Sequence, residues 1–143
     1  MKKIRVGVIG LGFIGKQHVE ALRRLPYIEI VAGSDSNLSM REWCEKNGIQ
    51  KYYSDYKEML TNENMDVVHN CTPNNFHYEV SCEILKTGCH VYSEKPLTIK
   101  SVEGESLIEL ADKKGLKTAV NFNYRNNLMV QEIQQRIQNG RMG

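Results

Sequence analysis

Apolar residues along this chain gather into short runs rich in β-branched side chains, at Ile4–Ile9, Ile28–Ala32, Val67–Cys71, His90–Tyr92 and Thr118–Phe122. Runs of this length and composition predict buried strands. The stretches between them carry helical spacing instead. Ile14, His18, Ala21, Leu22 and Leu25 are expected to share one face, as are His77, Val80, Ile84 and Leu85, and also Leu107, Ile108 and Ala111. A weaker strand at Lys51–Tyr53 and a short helix through Tyr56–Leu60 fill the gap after the second run, and a further helix is predicted over Leu128–Asn139. Asn47-Gly48 and Thr87-Gly88 supply helix stops after Lys46 and Lys86. Strands that alternate with helices predict an α/β fold, a doubly wound parallel sheet with helices on both faces.

Composition narrows the function classes. The 143 residues carry 19 basic and 17 acidic side chains, with no basic tract interleaved with aromatics, so nucleic acid is not an expected partner. The longest apolar run, Val6 to Gly15, is too short and too rich in glycine to cross a bilayer, which takes about 20 residues. Arg5 interrupts the amino-terminal apolar segment and no cleavage site of small residues follows, so a cytoplasmic location is expected. Cys44, Cys71, Cys82 and Cys89 form no C-x-x-C pair and lie at no metal-ligand spacing from the histidines, which predicts reduced thiols and no metal. Cys71 ends a strand, but no neighbouring base in sequence makes it a nucleophile.

The candidate chemistry begins where the first strand ends, at Gly10-Leu11-Gly12-Phe13-Ile14-Gly15. Glycines spaced G-x-G-x-x-G between a strand and an amphipathic helix let backbone approach a pyrophosphate and aim free N–H groups at it. Asp35, at the end of the second strand, is placed to accept bonds from the ribose hydroxyls and to repel an added 2′-phosphate. This predicts a Rossmann-type domain that binds NAD, with Asp35 as helix cap the competing reading. Arg41 keeps NADP open as the less favoured cofactor. The other strand-to-helix loops to inspect are Ser34-Asp35-Ser36-Asn37, Thr72-Pro73-Asn74-Asn75 and Ser93-Glu94-Lys95-Pro96.

Lys95 is the titratable group best placed for proton exchange with a substrate hydroxyl, although a solvated lysine paired with Glu94 satisfies spacing equally well. His18 falls in the register of a core residue. His77 opens a helix, where it either packs beneath the Thr72 loop or borders a nicotinamide pocket. His69 and His90 lie within strands and read as structural.

Taken together, the glycine turn, Thr72-Pro73-Asn74-Asn75-Phe76-His77, Glu94-Lys95-Pro96-Leu97 and Asn123-Tyr124-Arg125 resemble the Gfo/Idh/MocA oxidoreductases, in order over nearly the whole chain. The resemblance implies that Lys95 contacts the reacting hydroxyl as the catalytic residue, that Pro96 shapes its loop through a cis Lys95–Pro96 bond, and that Thr72 and Pro73 line the cofactor cleft. The expected cofactor-binding set is Gly10, Gly12, Phe13, Ile14, Gly15, Asp35, Ser36, Thr72, Pro73, Asn75, His77, Glu94, Lys95 and Pro96. Residues 1–122 read as the nucleotide-binding domain and 123–143 as a crossover helix, although Asn126 and Leu128 stand where members often carry an aromatic residue and a proline.

After glycines like Gly140 and Gly143, family members continue into a C-terminal α/β domain that forms much of the sugar pocket and the subunit interface. The resemblance therefore implies an isolated nucleotide-binding half of a homo-oligomeric NAD-dependent oxidoreductase acting on a sugar, cyclitol or related polyol. The alternatives are a non-catalytic NAD-binding module and an S-adenosylmethionine-binding fold, the latter leaving Glu94-Lys95-Pro96 unexplained.

Overall fold

The computed structural model describes residues 2–142; Met1 and Gly143, the outer ends of the two expected segments, lie outside the described residues. In chain order the elements are β1 (Ile4–Ile9), α1 (Phe13–Arg23), β2 (Ile28–Ser34), α2 (Met40–Lys46), β3 (Tyr52–Tyr53), α3 (Tyr56–Asn62), β4 (Val67–Asn70), α4 (His77–Lys86), β5 (His90–Ser93), α5 (Ser101–Lys113), β6 (Thr118–Val120) and α6 (Leu128–Gln138). Short 3-10 turns at Asn74–Phe76 and Asn123–Asn126 precede α4 and α6. The six strands form one sheet in the order β3-β2-β1-β4-β5-β6, every pair parallel. Winding reverses between β1 and β4, which opens a crevice at their carboxyl ends.

Alternation along the strands divides the core between the two faces. Val6 and Val8 of β1 pack with Leu11, Val19, Leu22, Cys44 and Ile49 under α1 and α2. Ile9, Ala32, Val68 and Val91 pack on the other face with residues of α3, α4 and α5, among them Met59, Ile84, Leu85 and Leu107. The doubly wound sheet with helices on both faces is thus present as expected.

Strand boundaries shift by one or two residues: β2 runs on to Ser34, while β4 and β6 stop at Asn70 and Val120. Helix faces differ more. In α1 the buried residues are Gly15, His18, Val19 and Leu22, while Ile14 and Ala21 are exposed, as is Leu25 beyond the end of the helix. In α5 Gly104, Leu107 and Ala111 are buried and Ile108 faces outward. Helical spacing alone admits two neighbouring stripes, and in both helices the buried stripe holds a glycine, which lies against the Gly10 turn in α1 and beside Thr98 and Leu97 in α5. No residue of α6 is buried.

Gly15 shows how tight that approach is. A Cβ there would overlap the carbonyl oxygen of Gly10. Gly15→Ala should therefore destabilise the fold by about 1–3 kcal/mol through overpacking, measured as a lowered urea midpoint with unchanged slope; an unaltered midpoint would show that the turn relaxes freely.

Candidate functional site

Parallel register brings the ends of all six strands to one line. Tyr53 pairs with Ser34, Ser34 with Ile9, Ile9 with Asn70, Asn70 with Ser93, and Ser93 with Val120. The next residue of five strands then bonds back across that line: Asp35 N–H donates to Tyr53 O, Gly10 to Ser34 O, Cys71 to Ile9 O, Glu94 to Asn70 O and Asn121 to Ser93 O, at 2.8–3.1 Å. Candidate residues from distant parts of the chain are thereby held at one level.

At the centre, Gly10 has φ of 86°, and a Cβ on it would stand 2.6 Å from the carbonyl oxygen of Cys71. Only glycine combines that backbone with that approach. The turn delivers the chain to α1, whose N-cap Gly12 has no side chain to satisfy the free N–H groups of the first turn. Nothing lies within 4 Å of the position a Gly12 Cβ would take.

Asp35 closes one side of this opening. Its Oδ2 accepts from Leu11 N–H at 2.6 Å and its Oδ1 from Asn37 N–H at 2.8 Å. An ionised carboxylate has about four acceptor positions, so each oxygen retains one for a ligand. The cap reading for Asp35 is not what the structure shows, since α2 starts at Met40 behind Ser39 and has no side-chain cap. Tyr52 holds the same loop from behind, its hydroxyl donating to the Asp35 carbonyl at 2.5 Å, and the Arg41 guanidinium lies 5.3 Å from the Tyr52 ring centre.

These elements surround a cleft of about 720 Å³. Of the expected set, Gly10, Gly12, Phe13, Ile14, Asp35, Ser36, Thr72 and Pro73 line it. So do Ser54, Asp55, Tyr56, Lys57, Phe76 and Glu79, none of them in the expected set. Phe76 and Glu79 were reachable from the T-P-x-x-x-H segment, but the approach of α3 to α4 carries no local signal. Burial, and after it the Glu79 charge, pushes the Tyr56 phenol up to about 12, so it faces the cleft as a neutral hydroxyl.

Gly15, Asn75, His77, Glu94, Lys95 and Pro96 do not line that cleft. Gly15 is packed on Gly10, Asn75 is exposed in the turn before α4, and His77 is wholly enclosed beneath the Thr72 loop. Lys95 and Pro96 are exposed one strand away, joined by a cis peptide bond.

Glu94 turns inward. Its Oε1 accepts from Asn121 Nδ2 at 2.6 Å and meets His18 Nε2 at 2.9 Å, while Oε2 accepts from Lys95 N–H at 3.1 Å. Burial alone would raise this carboxyl, but the bonds from Asn121, His18 and Lys95 outweigh it and hold the group below its ordinary value. His18 Nδ1 shares a hydrogen with His69 Nδ1 at 2.8 Å. Burial, reinforced by His18, lowers His69 to about 3, so its ring is neutral. His18 is therefore a satisfied buried histidine, as expected, but within a polar cluster that the sequence did not disclose.

Cys71 is pushed far up, first by burial and then by Glu94, and stays a thiol. Among the described residues no group of histidine, cysteine and carboxylate side chains could hold a metal ion, and no helix is long and apolar enough to cross a membrane.

Residues 4–122 match the oxidoreductase family with an NAD-binding Rossmann fold named GFO_IDH_MocA. The chain belongs to this family. It is 33% identical over 141 residues to myo-inositol 2-dehydrogenase of Thermotoga maritima, and 34% over 142 residues to D-glucoside 3-dehydrogenase of Escherichia coli. Those alignments take in 98% of this chain but 42% and 40% of the relatives, so the chain spans about two fifths of their length. Among solved structures it resembles myo-inositol 2-dehydrogenase from Lactobacillus plantarum, with TM-score 0.91, 26% identity and coverage of 99% and 43% of the two chains. It also resembles the WlbA dehydrogenase from Bordetella pertussis in complex with NADH and UDP-GlcNAcA, at TM-score 0.90, 29% identity and coverage of 99% and 44%.

Because Glu94 is held below its unfolded value, its contribution to stability is complete above the ordinary glutamate range, near about 4.3, and is lost as pH falls through the lower folded value. Glu63, lowered by Tyr53 and Lys51 against the opposing effect of its burial, acts in the same direction. Glu94→Gln should cost about 1–3 kcal/mol at pH 7 and flatten, without abolishing, the acid side of the stability profile in urea titrations from pH 7 to 3. An unchanged acid limb would separate Glu94 from acid unfolding.

Proposed function

We propose that the cleft between the glycine turn, Asp35 and the Thr72-Pro73 loop holds NAD, and that Lys95 serves as the proton-exchanging residue of a polyol dehydrogenase. The observation that carries this reading is the uncapped start of α1, opening onto the space beside Gly12. Free N–H groups at a helix start suit a pyrophosphate, and residues lacking side chains leave room for it. The two acceptor positions left on Asp35 suit the paired ribose hydroxyls of NAD, while its charge opposes a 2′-phosphate. The Arg41 guanidinium, occupied at the Tyr52 ring, is less free to offset that repulsion.

When bound, the nicotinamide ring would accept hydride from a carbinol carbon. Lys95, in its neutral amine form, would take the hydroxyl proton onto Nζ, and the inward Glu94 would hold the Lys95 backbone in place. A sugar, cyclitol or related polyol is the proposed substrate class, supported by the names of the inositol and glucoside dehydrogenases that the chain resembles. A second reading, a module that holds NAD without turnover, is favoured by the exposure of Lys95.

Calorimetric titration tests the site. The wild-type chain should bind NAD more tightly than NADP. Asp35→Ala should weaken NAD by about 1.5–3 kcal/mol and NADP by less, and equal losses would remove Asp35 from cofactor choice. Gly12→Val should abolish NAD binding with an unchanged far-UV spectrum, because its side chain would occupy the open space beside α1. Retained affinity would mean that the glycine turn is not the pyrophosphate site.

Turnover separates the two readings. Orientation of a substrate supplies roughly 7–11 kcal/mol of barrier lowering, so residues 1–143 by themselves should bind NAD yet oxidise a polyol panel negligibly. Efficient oxidation by the 143-residue chain would overturn this account.

A further inference from the structure

His77 opens α4 with its ring fully enclosed, and both of its ring nitrogens face backbone carbonyl oxygens. Nδ1 lies 2.6 Å from the oxygen of Pro96 and Nε2 lies 2.8 Å from that of Thr72. A carbonyl oxygen can only accept, so each of these contacts is a hydrogen bond when the ring nitrogen facing it carries the hydrogen. The two carbonyls belong to separate loops. Thr72 lines the cleft, and Pro96 follows Lys95.

The two loops are not held equally by other means. Asn70 secures the first one independently of the His77 ring: its Oδ1 accepts from the Thr72 hydroxyl at 2.7 Å and from Thr72 N–H at 3.3 Å, while its Nδ2 donates to the His77 backbone carbonyl at 3.0 Å. The Lys95 loop has the inward Glu94 on its amino-terminal flank. On the other flank Leu97 packs against the core, and the link to the cleft runs through the Pro96 carbonyl and the His77 ring.

We propose that His77 is a positioning residue, a clasp that makes the cleft loop and the Lys95 loop move as one, so that occupancy of the cleft settles the backbone on which Lys95 is carried. This rests on the reading of the cleft as a dinucleotide site. It differs from the direct cofactor contact expected of His77, since the enclosed ring acts on Lys95 through two carbonyls.

Hydrogen exchange followed by mass spectrometry on the 143-residue chain tests the clasp, with peptides covering residues 71–76, residues 94–99 and, as fold controls, β1 and β4. Wild type is compared with His77→Phe, which keeps a ring without donors, and His77→Gln, which keeps a donor amide. Without cofactor, His77→Phe should speed exchange over 94–99 by about tenfold or more and leave 71–76 and the controls near wild type, because Asn70 still holds Thr72. His77→Gln should fall between the two. With NAD added, 71–76 should slow in wild type and in His77→Phe, but 94–99 should slow only in wild type.

Wild-type exchange over 94–99 in the cofactor-free His77→Phe protein, or NAD protection of 94–99 that survives that substitution, overturns the clasp. Acceleration spread through β1 and β4 in both variants also overturns it, because His77 would then be a general support of the core. If NAD protects neither loop of wild type, the dinucleotide reading fails while the cofactor-free comparison still decides the clasp.

Discussion

Everything at the functional end of this domain depends on the sheet being parallel and in register across all six strands. A parallel ladder sends every strand out of the sheet in the same direction, so loops far apart in sequence emerge side by side. Here the alignment is close enough that the residue after each of five strand ends donates its amide across the same line. The glycine turn, Asp35, Cys71, Glu94 and Asn121 are thereby brought to one level before any side chain interacts. Hydrophobic burial on the two faces supplies the stability, while the register decides what it is used to hold.

Above that line the cohesion changes character. Below it the contacts are made largely by valine, leucine, isoleucine and methionine; above it the loops are held by carboxylate, amide and imidazole groups, of which Glu94, His18, Asn70 and His77 are buried. An ionised carboxylate such as Glu94 is costly to enclose unless it is surrounded by donors, and it has a backbone amide, a side-chain amide and an imidazole. Such directional bonds specify orientation more sharply than apolar packing does. Two adjacent loops are consequently fixed without being rigidly buried, and the exposed Lys95 is carried on anchored neighbours.

The strands were legible because β-branched runs separated by helical spacing leave few alternatives, and the glycine turn identified the crevice because its residues act locally. Helix orientation was less so. Ile108 and Leu107 are adjacent and equally apolar, and only the fit of Gly104 against Leu97 and Thr98 distinguishes the buried stripe. The polar cluster was hidden for a different reason: His18 and Glu94 are 76 residues apart and Glu94 and Asn121 27 apart, so their meeting is a product of register. Glu94 and His77 drew attention through their motifs, but sequence spacing could not say whether they turn toward the cleft or away from it.

The last helix stands apart from this economy. Leu128, Met129, Val130, Ile133 and Ile137 of α6 are all exposed, and its starting amides are held by Asn127 alone. Eleven residues is below the roughly 12–15 at which a helix sustains itself in water. Its folded form therefore rests on little besides backbone hydrogen bonding, and the free energy separating it from a frayed segment is small. Neither side of the core includes a residue of this helix, so α6 can fray and re-form without loosening the sheet or disturbing the line of amides at its carboxyl edge.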